Sequence, residues 1–173
     1  MSPVVATPNP SSGGAEVETQ VKDFQTFVSF VLTISIFGAS TFAVIMGQMD
    51  DPAEIWAPSP PPFTLAQVRK FLGISWICFV LALAVAGYSS SILALWRQRA
   101  VRRGAQDGWW KNWDRFGVGA SVLLHLLIVS AFLFLSIALV AYVGAVGWVM
   151  VGMSSAALIF GLGLSGVQIF EQI

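Results

Sequence analysis

The sequence predicts an all-α integral membrane protein of four transmembrane helices, the last two forming a tight hairpin. Three observations carry that prediction. The 55 residues from Phe116 to Phe170 contain no Asp, Glu, Lys or Arg. A bilayer core ~30 Å thick takes about 20 apolar residues in helix to cross, so this stretch suits two crossings and is too long for one. Two further uncharged windows, Phe24 to Met49 and Phe71 to Trp96, are each 26 residues long and each supply one span. Composition agrees: 56 % of the 173 residues are hydrophobic and 10 % charged, against about 25 % charged in soluble domains. A soluble fold of this size has too much surface to cover with so few polar groups.

Residues 1–23 open the chain with Pro3, Pro8, Pro10 and the Ser11-Ser12-Gly13-Gly14 run. Such a composition buries too little apolar surface to offset the entropy of ordering, so a disordered arm is expected. No basic segment precedes an apolar one here, so the first span, residues 24–46, is expected to act as an uncleaved insertion signal. The loop at 47–64 is acidic and proline-rich, with Asp50, Asp51 and Glu54 followed by Pro58, Pro60, Pro61 and Pro62. Proline removes backbone donors and fixes φ, so extended chain is predicted there. Thr64-Leu65-Ala66-Gln67 fits a capping box that starts the second span, residues 65–96. A basic, aromatic loop follows at 97–115, carrying Arg97, Arg99, Arg102, Arg103, Lys111 and Arg115 with Trp109, Trp110 and Trp113. Spans three and four cover 116–141 and 147–170. Their turn lies around Tyr142-Val143-Gly144-Ala145, with Trp148 suited to the membrane interface. The four spans, residues 24–170, make one membrane domain.

Four spans place both termini and the basic loop on one side. That side holds Lys22 and six loop cations, seven in all, against Arg69 and Lys70 on the other. Lys and Arg are retained on the cytoplasmic face during insertion, so both termini are expected in the cytosol. The near-zero net charge conceals this asymmetry. Cys78, the only cysteine, falls inside span two, so no internal disulfide or CxxC chemistry is available. Pro10 spoils the one glycosylation sequon, at Asn9. An endomembrane and the plasma membrane fit equally.

Small residues recur every four positions in three spans: Ser35, Ala39, Ala43 and Gly47; Cys78, Ala82, Ala86, Ser90 and Ala94; Ala157, Gly161 and Ser165. Such positions share one helix face and let two backbones approach, which in lipid is the main source of helix association. They are expected to pack the helices of one chain and, in addition, to join it to a second copy or another membrane protein. Span three instead carries Leu123, Leu124, Leu126, Leu127, Phe132, Leu133, Phe134 and Leu135 all round and is expected to face lipid more than the others.

Other motifs are weaker. The basic, aromatic loop suits anionic headgroups, with its tryptophans at headgroup depth, although topology setting alone accounts for it. Short and pinned to the membrane at both ends, it is not expected to bind nucleic acid. An intramembrane ionisable group such as His125 is a functional candidate. It lies ten residues, about 15 Å of helix, from Arg115, and a neutral structural imidazole bonded to a hydroxyl or carbonyl is expected. Ser89-Ser90-Ser91, Ser154-Ser155 and Gln168 could line a polar path, but such hydroxyls commonly bond back to their own helix. Asp50, Asp51 and Glu54 lack the ligand order of a calcium loop. No metal and no cofactor is expected.

The layout of span, Asp-Pro-containing loop, span, basic loop and hairpin resembles the four-span segment that ends some plant ankyrin-repeat proteins. The chain lacks that family's Pro-Gly-Gly signature and its ankyrin repeats, so the resemblance implies a topology and no residue role. Proton-coupled transport generally needs an acid or base at hydrocarbon depth, and small four-span drug exporters use an embedded glutamate; no span here holds one. Tetraspanins and claudins need more cysteines, as do quinone-linked disulfide-forming enzymes. No nucleophile–base pair or metal cluster is in register for catalysis. The residues therefore point to a non-enzymatic accessory or scaffold subunit that associates through small-residue helix faces. The alternative is a homo-oligomeric pore for ions or a small neutral solute, because a channel needs no buried acid.

Overall fold

With so little polar side-chain surface, backbone groups must satisfy one another, and helix is the local way to do it. The structure, a computed structural model, describes residues 11–103 and 109–170, with side-chain surroundings for residue 19, residues 21–95 and residues 116–163. The described residues form four helices and no strand: α1 Ser11–Gly47, α2 Pro52–Trp56, α3 Leu65–Arg103 and α4 Trp109–Phe170. Among the described residues three stretches are long and apolar enough to cross a membrane: Val21–Gly47, Leu65–Leu95 and Phe116–Gly163.

Several boundaries differ from the sequence expectations. A disordered arm was expected through Asp23, but α1 begins at Ser11. Averaging over the first 23 residues hides that all the prolines end at Pro10, and that Ala15, Glu16, Glu18, Gln20 and Lys22 are good helix formers. Residues 1–10 lie outside the described residues. The 47–64 segment is not extended throughout: Asp51 caps α2 by accepting from the Ala53 N–H at 3.0 Å, and Pro52 sits where its missing N–H costs nothing. The 97–115 segment is helical at both ends, because residues 97–103 contain neither glycine nor proline to stop α3 and α4 resumes at Trp109. The capping box forms, with the Thr64 N–H donating to Gln67 Oε1 at 2.9 Å and the Gln67 N–H to Thr64 Oγ1 at 3.4 Å.

Helical dihedrals fail inside α4 at Val143 (φ −123°, ψ 17°) and Gly144 (φ 38°, ψ −104°). A positive φ is cheap only for glycine, so Gly144 fixes the place of the break. Beyond it, Ser136 Oγ lies 3.4 Å from Ser154 Oγ, Gly147 lies against Val140, and Gly161 lies under the His125 ring. Residues 125 and 161 would be about 54 Å apart in an unbroken helix, so the break redirects the chain. The limbs before and after it are residues 109–142 and 145–170.

α3 is central, packing extensively on both α1 and α4, which touch each other far less. One buried cluster joins Val28 and Val31 of α1, Ala82 and Ala86 of α3, and Leu124 of α4. A second joins Val68 and Leu72 to Ala138 and Ala141, with Phe42 and Ile45 against it. The expectation that 116–141 faces lipid most is overturned: Ala120, Leu124, Ala131, Ser136, Ala138, Val140 and Ala141 are buried, whereas Met153, Ile159 and Phe160 on the later limb stand about 70 % exposed. Counting bulky residues hides the inward stripe at 124, 131 and 138, a seven-residue repeat that keeps one face of a helix.

Candidate functional site

Helix pairs in lipid close up where side chains are small, so the packing faces are the first place to look for function. Ser35, Ala82 and Ala86 are fully enclosed. Among the described residues Ser35 Oγ has no hydrogen-bond partner. Gly38, three residues beyond Ser35 and off the four-residue stripe, makes a close α1–α3 approach: a Cβ there would lie 2.6 Å from the Phe79 ring. Phe42 stacks on Trp76 nearby, with centroids 5.4 Å apart. Ala39, Cys78 and Ser90 are half-buried, while Ala43, Gly47, Ala94 and Ala157 are exposed. Gly161 is buried by His125, and nothing approaches within 4 Å of a Cβ built at Gly47. The predicted stripes thus divide, one set building the interior and the other looking outward. The Arg97, Arg99, Arg102, Arg103, Trp109, Trp110, Trp113 and Ser165 side chains lie outside the described residues.

The outward set belongs to a longer face that the four-residue spacing does not reveal. Thr26, Ser29, Thr33, Ile36, Ser40, Ala43 and Gly47 are all exposed, and steps of three and four residues alternate along them. That is the heptad spacing of a helix packing side by side with another. Thr26, Thr33 and Ser40 donate back to the carbonyls of Lys22, Ser29 and Ile36 at 2.8–3.0 Å. Their hydroxyls are thereby satisfied without water, as a membrane interior requires.

The loop bearing α2 docks on the break in α4. An Ala141 carbonyl in continuous helix would accept from the N–H of residue 145, and the break removes that donor. The Trp56 indole N–H donates to it instead at 2.7 Å. Tyr142 OH donates to the Asp50 carbonyl at 3.0 Å, clamping the same loop from the other side. Deeper in, Ser75 Oγ donates to the Ala131 carbonyl at 2.8 Å and ties α3 to α4. The Asp51-Pro52 pair is the local signal for α2 that the expectation of extended chain passed over; nothing in the sequence signals the indole's target 85 residues away.

Toward the basic end, an open groove of about 420 Å³ with largely apolar walls lies between α3 and α4 beside Gly119 and Ala120. His125 is exposed, with its ring lying against Gly161. The described residues bring no three His, Cys, Asp or Glu together as metal ligands. No protein family, curated protein or solved structure matches this chain.

Proposed function

We propose a four-span, non-enzymatic accessory or scaffold subunit, with both termini and the basic segment in the cytosol, that associates through the outward face of α1. The observation that carries this reading is the exposed run from Thr26 to Gly47, small or hydroxyl-bearing at six of its seven positions. Lipid gains nothing from such a face that leucines would not supply better, whereas a second helix gains close approach. Two separate crossings within Phe116–Gly163 are supported by the three contacts across the break, all centred within two residues of Gly144. The orientation rests on the seven-to-two distribution of cations. A homo-oligomeric pore is the second reading, favoured by the same face: α1 helices arranged in a ring would present the hydroxyls of Thr26, Ser29, Thr33 and Ser40 to an ion or a small neutral solute.

Native mass spectrometry of the protein extracted into lipid nanodiscs tests this. A complex with itself or with another membrane protein is expected, and Ser40→Leu with Ala43→Leu should disperse it. Both residues are already outward, so helicity should be unchanged. A lone monomer, or a complex indifferent to both substitutions, would remove α1 as the association face. Conductance across a reconstituted bilayer separates the two readings.

A further inference from the structure

Another surface surrounds the break in α4, and it is best read from its polar groups outward. The Trp56 indole N–H donates to the Ala141 carbonyl at 2.7 Å, and Tyr142 OH donates to the Asp50 carbonyl at 3.0 Å. The Trp56 ring also covers Gly144, where a built Cβ would meet it at 3.4 Å. Pro52 of α2 is fully enclosed. The loop is thus folded onto the break, and these polar groups find protein partners that stand in for water.

The side chains left outward here are bulky and apolar. Ile55 of α2, Val143 and Val146 at the turn, and Trp148 and Val149 just past it are 49–62 % exposed. No charged residue lies between Phe116 and Phe170 to hold the turn in water. Packing gives its depth. Ala141 shares a buried cluster with Val68, whose neighbours Arg69 and Lys70 are exposed, as are Asp50 and Asp51 on the loop that Tyr142 clamps. Charges are costly in hydrocarbon, so these four set residues 141–142 at headgroup depth. Gly147 returns against Val140, so the later limb re-enters hydrocarbon from that level and carries Trp148 to the boundary, where an indole is most stable.

We propose that the turn of α4, together with Ile55 of α2, is a lipid-contact surface seated in the headgroup–acyl boundary of the leaflet on the Arg69 side. Acyl chains cover such side chains without needing a hydrogen bond, whereas water would leave their apolar area exposed. The exposed acids of the loop and its Ser59-Pro60 tip remain for water. This surface rests on the reading that the two limbs of α4 cross separately.

Spin labels on single cysteines, in a Cys78→Ala background reconstituted in phosphatidylcholine vesicles, test it through collisions with oxygen and with a water-soluble nickel chelate. All four labelled positions, Val143→Cys, Val146→Cys, Ser59→Cys and Ile77→Cys, are exposed in the fold. Ile77 lies nine residues, about 14 Å of helix, from Val68 and reports the membrane interior. At 143 and 146 the oxygen-to-nickel ratio should exceed that at Ser59 by about an order of magnitude and stay below that at Ile77, a depth of about 5–10 Å. Ratios at 143 and 146 equal to that at Ser59 would put the turn in water and overturn the proposal while leaving the separate crossings intact. Poor access of both reagents would overturn it in favour of a protein partner. Ratios as high as that at Ile77 would overturn the separate crossings themselves, and the proposal with them.

Discussion

Replacing Gly147 by alanine is the sharpest test of how the two limbs of α4 lie. A Cβ at that position would sit 2.6 Å from Val140 Cα, 2.7 Å from Val140 N and 2.9 Å from Val140 Cγ2. Carbon atoms in contact prefer about 3.5–4.0 Å, so the shortfall is roughly 1 Å. Two of the three obstructing atoms are backbone and cannot rotate aside. The limbs must move apart, and the 3.4 Å contact between Ser136 and Ser154 must lengthen with them. A gap of 0.5–1 Å already forfeits about a quarter to a half of the dispersion well at each lining contact.

Overpacking of this kind costs about 1–3 kcal/mol, and a backbone obstacle belongs at the upper end. Alanine regains up to about 1 kcal/mol of helix propensity over glycine, so a net loss of about 2 kcal/mol is expected. Gly152→Ala is the control: it lies on the same limb with nothing within 4 Å of its Cβ, so it keeps the propensity gain without the clash. The two variants should therefore differ by about 3 kcal/mol. Equilibrium unfolding in mixed micelles, titrated with a denaturing detergent and followed by tryptophan emission, reads that difference directly. Equal stability of the two variants would refute the close approach of residues 140 and 147, and with it the argument for separate crossings.

Two further substitutions probe the other close contacts. Trp56→Phe keeps the ring but removes the donor to the Ala141 carbonyl; it should cost about 1–3 kcal/mol and speed amide exchange around residues 141–147, and unchanged exchange there would deny the indole its capping role. Gly38→Ala pushes a methyl into the Phe79 ring at 2.6 Å and should destabilise by about 1–3 kcal/mol, with Phe79→Leu in the same chain recovering most of the loss because the obstacle is a side chain; a double variant no more stable than Gly38→Ala would show that the strain lies elsewhere.

How much of this was legible depended on the range of the interaction involved. The apolar helices and the capping box at Thr64 are local, set by composition over twenty residues or by a four-residue pattern. Gly144 was legible as part of a turn because only glycine tolerates its φ of 38°. By contrast, Gly38 and Gly147 matter because of what stands opposite, Phe79 and Val140, and a single sequence does not record opposition. The groove went unread for the same reason, since its two walls lie about 30 positions apart. The misassigned limb 116–141 shows a different failure. Its leucines and phenylalanines are conspicuous, but in lipid the bulky residue marks the outside and the modest one the inside, so Ala131, Ser136 and Ala138 carried the information.

That inversion also separates the two tasks the small residues perform. Ala82 and Ala86 are enclosed by α1 and α4, so enlarging either must disturb the fold before it can disturb any partner. Ser40, Ala43 and Gly47 touch no such core and stand exposed on α1, so enlarging them leaves the bundle intact and alters only what approaches it. A helix kept small on a face its own chain does not use must earn that composition from something else, because exposed alanine and serine gain less from hydrocarbon than leucine would. α1 is joined to the bundle almost wholly through α3, which leaves its far side open for a second helix to lie along it. The proposed association follows from this unequal use of α1, and substitutions at Ala86 and Ala43 should accordingly separate loss of fold from loss of assembly.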